Sequence, residues 1–195
     1  MKLQNKNIVI TGAADGIGYA LANRINQESP KSLSLIDINE SVVSVADSLH
    51  ADSYIVDVSD ENAFQEVLNQ IIDKNKSIDL FCSNAGIQQF GTLETSTSDW
   101  QKNWDVNVMS HIHASKVLIP HMQERKSGYL LLTVSAAGLL NMPGALAYAT
   151  TKHAAMGLAE NLAIMYGNDG IKVSTLCPQL VDTNMVRSAK ELPEN

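Results

Sequence analysis

Cysteine, clustered basic charge and long apolar runs are all scarce in this chain, and each scarcity excludes something. Only two cysteines occur in 195 residues. Cys82 and Cys177 fall in apolar, strand-like runs. If one strand separates them, the gap is roughly 9 to 10 Å at ordinary strand spacing, too wide for a bridge. Two reduced, buried thiols are expected. Lys and Arg form no stripe, and the net charge is −7, which argues against nucleic acid or an anionic membrane as partner. The opening MKLQNKN has no apolar signal region. The most apolar stretch, Tyr129 to Leu140, is too short and too interrupted to cross a bilayer. A soluble, cytoplasmic protein is the expectation.

What the chain does contain is an ordinary globular balance, 45% hydrophobic and 18% charged residues, without repeats or low-complexity runs. Its length suits one domain, 1–195, with a sizeable core. Short β-branched runs alternate with helix-length segments. The strand candidates are NIVIT (7–11), SLSLID (32–37), SYIVDV (53–58), IDLFCSN (78–84), GYLLLTVS (128–135) and IKVSTLC (171–177). Most are nearly continuous in apolar residues, as parallel strands covered on both faces must be. Helical patterns lie between them at 16–28, 40–50, 60–75, 98–126 and 145–168. This order predicts an α/β fold: a doubly wound parallel sheet of the Rossmann type, in three layers. Ligands of such sheets sit beyond the carboxyl ends of the strands. Those ends carry Thr11-Gly12, Asp37, Asp57, Asn84-Ala85-Gly86, Ser135 and Cys177-Pro178, a polar and turn-forming set.

TGAADGIG closes the first strand and opens the first helix. Gly12, Gly16 and Gly18 allow a tight turn and close approach of a pyrophosphate to the helix N-terminus. Three glycines can also be only a turn. Here, however, a strand precedes the loop, a helix follows, and Asp37 stands nineteen residues past Gly18. A carboxylate at that place can accept both ribose hydroxyls of an adenosine and would repel a 2′-phosphate; the other reading is an Asp that starts a turn before Asn39. Asp57 can accept from the adenine amine, or it can cap the helix after "DVSD".

Tyr148 and Lys152, in YATTK, share one side of a helix. Alone, the pair reads equally as a surface contact, with the lysine stem along the ring. Together with the other motifs it carries more. TGxxxGxG, SNAG (83–86), Asn107 in WDVNVMS, Ser135 in TVSAAG thirteen residues before Tyr148, YATTK, and CPQLVDT resemble the short-chain dehydrogenase/reductase family over residues 6 to about 187. Two departures stand out: Ser83 replaces the first Asn of the family's NNAG, and Gln179 occupies the place of its usual Gly.

The resemblance implies an NAD-dependent oxidoreductase that transfers a hydride between the cofactor and a secondary alcohol or ketone. Tyr148 would be the general base, with a phenolate favoured by the Lys152 ammonium and by the nicotinamide. Lys152 would also hold the nicotinamide ribose, and Ser135 would bond the reacting oxygen. Asn107 would hold a water that links Lys152 to solvent, although an Asn in a helix break often makes only a local backbone bond. Cofactor contacts carry over to Gly12, Asp15, Gly16, Ile17 and Gly18 of the loop, and to Asp37, Asp57 and Val58. They continue through Asn84, Ala85 and Gly86 to Pro178, Val181 and Thr183, besides Tyr148 and Lys152 themselves.

Residues 87–90, 137–146 and 179–185 are the expected pocket walls. They are mostly apolar and hold no Lys or Arg, which points to a small, largely apolar substrate. By resemblance the chain forms a homodimer or homotetramer through the helices at 98–126 and 145–168. His111 and His113, two apart, do not converge on a metal, and no metal site is expected. Met109, Met122, Met156 and Met165 read as helix-core fillers. The family runs to roughly 250 residues, so a C-terminally incomplete domain is expected, without the final strand and helix and with strand 171–177 as an apolar edge. The alternative is a regulatory or scaffolding module that binds a dinucleotide without turnover, but such a module should have lost Tyr, Lys or Ser. The extended branch of the family carries TGxxGxxG, which this loop does not match.

Overall fold

A computed structural model describes residues 2–190. At its centre β1 (Asn7–Thr11) is buried along its whole length, because it lies between two neighbours with helices on both faces. β2 (Ser32–Asp37), β3 (Asp52–Ile55), β4 (Leu80–Ser83), β5 (Gly128–Thr133) and β6 (Ile171–Leu176) complete a sheet of order β3-β2-β1-β4-β5-β6. All pairings are parallel. α1 (Gly16–Asn26) and α2 (Val42–Leu49) cover one face through Ala22, Ile25, Val42 and Ala46. α3 (Glu61–Asn75), α5 (Ser110–Arg125) and α6 (Leu146–Tyr166) cover the other, where Phe64, Leu68, Leu118, Met122, Ala155 and Leu162 meet the sheet. The expected doubly wound sheet is therefore found. Its order reverses between β1 and β4, which opens a crevice at their carboxyl ends.

Several boundaries differ from the sequence reading. β3 stops at Ile55, because it is an edge strand with only β2 beside it. Asp57 thus lies in the loop beyond. The expected helix over 98–126 is broken: α4 (Thr97–Trp104) runs into a π-helical turn, Asp105–Met109, before α5 begins. Short 3-10 turns at Ala136–Gly138 and Gly167–Asp169, and α7 (Asn184–Lys190), were not expected. β6 pairs only with β5 among the described residues and leaves Val173 to Leu176 half-buried. No helix among the described residues is long and apolar enough to cross a membrane.

Candidate active site

A cleft of about 480 Å³ lies over the carboxyl ends of the central strands. Its floor is built by one side chain that joins three strands. Asn84, just past β4, donates from Nδ2 to the carbonyls of Thr11 (3.1 Å) and Gly12 (3.3 Å). Its Oδ1 accepts from the Thr133 hydroxyl at the end of β5 (2.9 Å). Thr11 returns the contact, with Oγ1 accepting from the N–H groups of Asn84 (2.9 Å) and Ala85 (3.0 Å). Gly12 stands at φ +65°, and a Cβ there would come within 2.8 Å of Ala85 Cα. At Gly18 a Cβ would overlap the Gly12 carbonyl. The glycine loop is thus packed backbone to backbone, and α1 begins at the wall of the cleft with first-turn N–H groups that have no intrahelical acceptor. These residues fit a dinucleotide pyrophosphate.

The acids around the loop have structural work of their own. Asp37 Oδ2 accepts from Ala14 N–H and Oδ1 from Asn39 N–H, both at 2.9 Å. The turn-starting reading of Asp37 is therefore correct, and the same carboxylate braces the glycine loop. Each oxygen retains a lone pair for a ribose hydroxyl. Asp57 Oδ1 accepts from the Ser59 N–H and hydroxyl, while the cap of α3 is Asp60, so the capping reading of Asp57 is wrong. Asp15 is exposed and accepts from Asn184 Nδ2 at 2.5 Å.

Ser135, Tyr148 and Lys152 come together at the inner end of the cleft, all three buried. Ser135 Oγ accepts from Ala137 N–H at 3.1 Å, and its side chain faces the Tyr148 phenol across the cleft. Lys152 Nζ lies 5.6 Å from the Tyr148 ring centroid and donates to the Thr133 carbonyl at 3.1 Å. Burial pushes the Tyr148 pKa up, against the nearby Ser135 side chain that pulls it down. Burial also pushes Lys152 down to about 8, opposed by the nearby Cys177. A phenol lowered by its lysine neighbour is therefore not what the protein alone provides: desolvation dominates both groups.

Asn107 occupies the middle of the π-helical turn and is fully buried. Its Oδ1 accepts from Ile87 N–H and its Nδ2 donates to Ile87 O, both at 2.9 Å. Nδ2 also donates to Thr151 Oγ1 at 3.1 Å. The bonds are not the local backbone bond expected of an Asn in a helix break: they reach Ile87 and Thr151, far away in sequence, and fix the loop after β4 beside Lys152. That loop is fastened a second time: Gly91 N–H donates to Gly144 O (2.7 Å) and Leu146 N–H to Gly91 O (3.1 Å).

Gly16, Ile17, Val58, Ala85, Gly86, Pro178, Val181 and Thr183 line the cleft with the acids, Asn84, Ser135, Tyr148 and Lys152, whereas Asn107 does not reach it. Gly18 packs behind them and does not reach it either. Of the expected walls, Ile87 and Gln88 contribute, as do Gln179, Val181, Thr183 and Met185, but residues 137–146 do not. After Ser135 the chain enters the 3-10 turn and swings outward, leaving Leu139 and Leu140 exposed at 61% and 64%. The sequence reading missed Lys102, which reaches the cleft rim from α4 on the same side as Val106, four residues on. Met122 is a core filler, whereas Met165 is 63% exposed. Cys82 is buried with its thiol pushed up to about 12, and Cys177 is only half-buried; both are free. His111 Nδ1 pairs with Ser83 Oγ at 2.6 Å, and His113 Nδ1 with Val58 O at 3.3 Å.

The short chain dehydrogenase family matches residues 6–193. The chain belongs to this family. Meso-2,3-butanediol dehydrogenase from Serratia marcescens is 36% identical over 189 residues, 95% of this chain and 75% of that protein. Oxidoreductase UcpA from Escherichia coli K12 is 32% identical over 194 residues, 96% of this chain and 73% of that one. Among solved structures, a short chain dehydrogenase/reductase from Burkholderia phymatum in complex with NAD superposes with a TM-score of 0.90 at 31% identity, covering 100% of this chain and 72% of that one. As a short-chain dehydrogenase the protein is an NAD(P)-dependent oxidoreductase.

Proposed function

We propose that this short-chain dehydrogenase interconverts a compact secondary alcohol and its ketone with NAD, and that Tyr148 is the general base. One observation carries the reading: Tyr148, beside Lys152, shares a cleft with Ser135 and with the glycine loop at the start of α1. NAD, when bound, supplies the acceptor for the two electrons and the hydrogen that leave the carbinol carbon. Ser135 holds the substrate oxygen, and the Tyr148 phenolate takes its proton. Lys152 offsets the cost of that buried phenolate. Unit charges about 6 Å apart attract by roughly 3 kcal/mol at an effective dielectric of about 20. Asn107 acts through Ile87, by keeping the loop after β4 against the ammonium.

Asp37 and Asp15 favour NAD over NADP, because a 2′-phosphate would meet like charge. The NAD complex of the Burkholderia relative supports this choice. The Serratia relative, named for a small diol, supports a compact substrate. The protein works as a homodimer or homotetramer in the cytoplasm. The test is direct: protein with NAD and a panel of small secondary alcohols, followed by nicotinamide absorbance. Dinucleotide binding without turnover of any alcohol or ketone would favour a regulatory or scaffolding role.

A further inference from the structure

Two carboxamides that line the cleft have no part in the chemistry proposed above. Gln88 and Gln179 both line the cleft that holds Ser135 and Tyr148. Each follows a residue that is hydrogen-bonded to the frame around the reacting centre. Gln179 comes after Pro178, whose carbonyl accepts from Ala136 N–H at 2.8 Å, next to Ser135. Gln88 comes after Ile87, whose N–H and carbonyl are both held by Asn107 beside Lys152. Neither amide is consumed by the fold. Gln88 Nε2 meets only the sulfur of Met142, at 3.7 Å, a weak acceptor. Gln179 has no partner among the described residues.

From these observations we infer that Gln88 and Gln179 bind a second, uncharged oxygen of the substrate, so that the preferred substrates are vicinal diols and the corresponding α-hydroxyketones. This rests on the alcohol–ketone reading and narrows it. A carboxamide both donates and accepts, so it serves a hydroxyl or a carbonyl equally. It offers no charge to attract a carboxylate or phosphate. Each glutamine follows a residue bonded to the frame of the reacting centre, Ile87 to Asn107 and Pro178 to Ala136, and the second oxygen is assigned to the carbon adjoining the carbinol. The dinucleotide must share the 480 Å³ cleft, and this keeps the substrate small.

The test compares kcat/KM for 2,3-butanediol with that for 2-butanol, and for 3-hydroxy-2-butanone with that for 2-butanone, in each protein preparation. Taking the ratio cancels any loss of folded enzyme. The wild-type protein should favour the dioxygenated partner by about 10- to 100-fold, the range expected of two neutral hydrogen bonds. Gln179→Leu and Gln88→Leu should each lower that ratio by about tenfold, and the double variant should come close to equal rates. Equal wild-type rates, or an unchanged ratio in both variants, would overturn the inference while leaving the alcohol–ketone reading intact. No turnover of any of the four compounds would overturn both.

Discussion

Replacing Lys152 by Met should make the protein more stable and nearly inactive at once. The ammonium is 3% exposed, and burial lowers its pKa from 10.5 to about 8. At neutral pH the folded chain therefore carries a proton that is easier to hold in the unfolded state. The difference of about 2.5 units corresponds to roughly 3 kcal/mol of destabilisation. Methionine fills similar volume without charge. It leaves the Thr133 carbonyl, now 3.1 Å from Nζ, without that donor, at a cost of about 1 kcal/mol. The net gain is about 2 kcal/mol, or roughly 4 to 8 °C in Tm for a chain of this size. The sign with pH is fixed by the direction of the shift. The lysine penalty is complete below pH 8 and disappears as pH rises from 8 through 10.5, so the two melting curves should converge across that window. Turnover should fall by at least about 100-fold, because roughly 3 kcal/mol of phenolate stabilisation is lost. Thermal melts at pH 7 and pH 10, with initial rates on NAD and alcohol, provide the readout. A variant less stable than the parent at pH 7, or a gap that does not narrow with pH, would refute the reasoning.

Tyr148→Phe removes the proton acceptor and keeps the ring; activity should fall by about 10³-fold or more, with NAD affinity retained in a fluorescence titration, and turnover within a few-fold of normal would exclude the assignment. The wild-type enzyme should prefer NAD over NADP by about 30- to 1,000-fold, and Asp37→Ala should erode that preference by weakening NAD. The same change also loosens the loop bond at Ala14, so it should lower stability by about 1 to 3 kcal/mol; a wild-type preference for NADP would reverse the role of Asp37. His111, which burial lowers from 6.5 to about 3, adds stability that is complete above pH 6.5 and lost as pH falls toward 3. The loss totals roughly 4 to 5 kcal/mol. His111→Asn keeps an acceptor toward Ser83 and should flatten that part of the acid unfolding curve, and an unchanged slope would show that His111 is not its source.

The sheet was legible because a buried parallel strand has to be apolar on both faces. NIVIT and the LFC of IDLFCSN meet that demand, while SLSLID departs from it by burying Ser34 among its leucines. Where the demand lapses, so does the legibility: the end of SYIVDV belongs to an edge strand, and its last residues leave the sheet. The glycine loop, Asn84, Ser135, Tyr148 and Lys152 were legible because strand ends and one helix face bring them to one cleft. The break at Asn107 was legible only through the family resemblance, since a π-helical turn needs no glycine or proline to mark it and is held here by hydrogen bonds to Ile87, twenty residues away. Residues 137–146 misled because nearness in sequence to Ser135 and Tyr148 was taken for nearness in space. Lys102 was missed because its place depends on how α4 meets the break.

The double fastening between Gly91 and the turn before α6 has a consequence for how this enzyme can change. Gly91 sits at φ +159°, where any added carbon would run into Thr95, so the clasp tolerates little variation. The loop that presents Gln88 and the helix that presents Tyr148 then move as one piece. A mutation that reshapes that wall to admit a new substrate also shifts the base, and pays in rate. The segment from Gln179 to Met185 carries no such clasp to α6 among the described backbone bonds. Adaptation to new alcohols should therefore accumulate there first, with the loop from Ile87 to Thr95 changing late and together with residues 144–146.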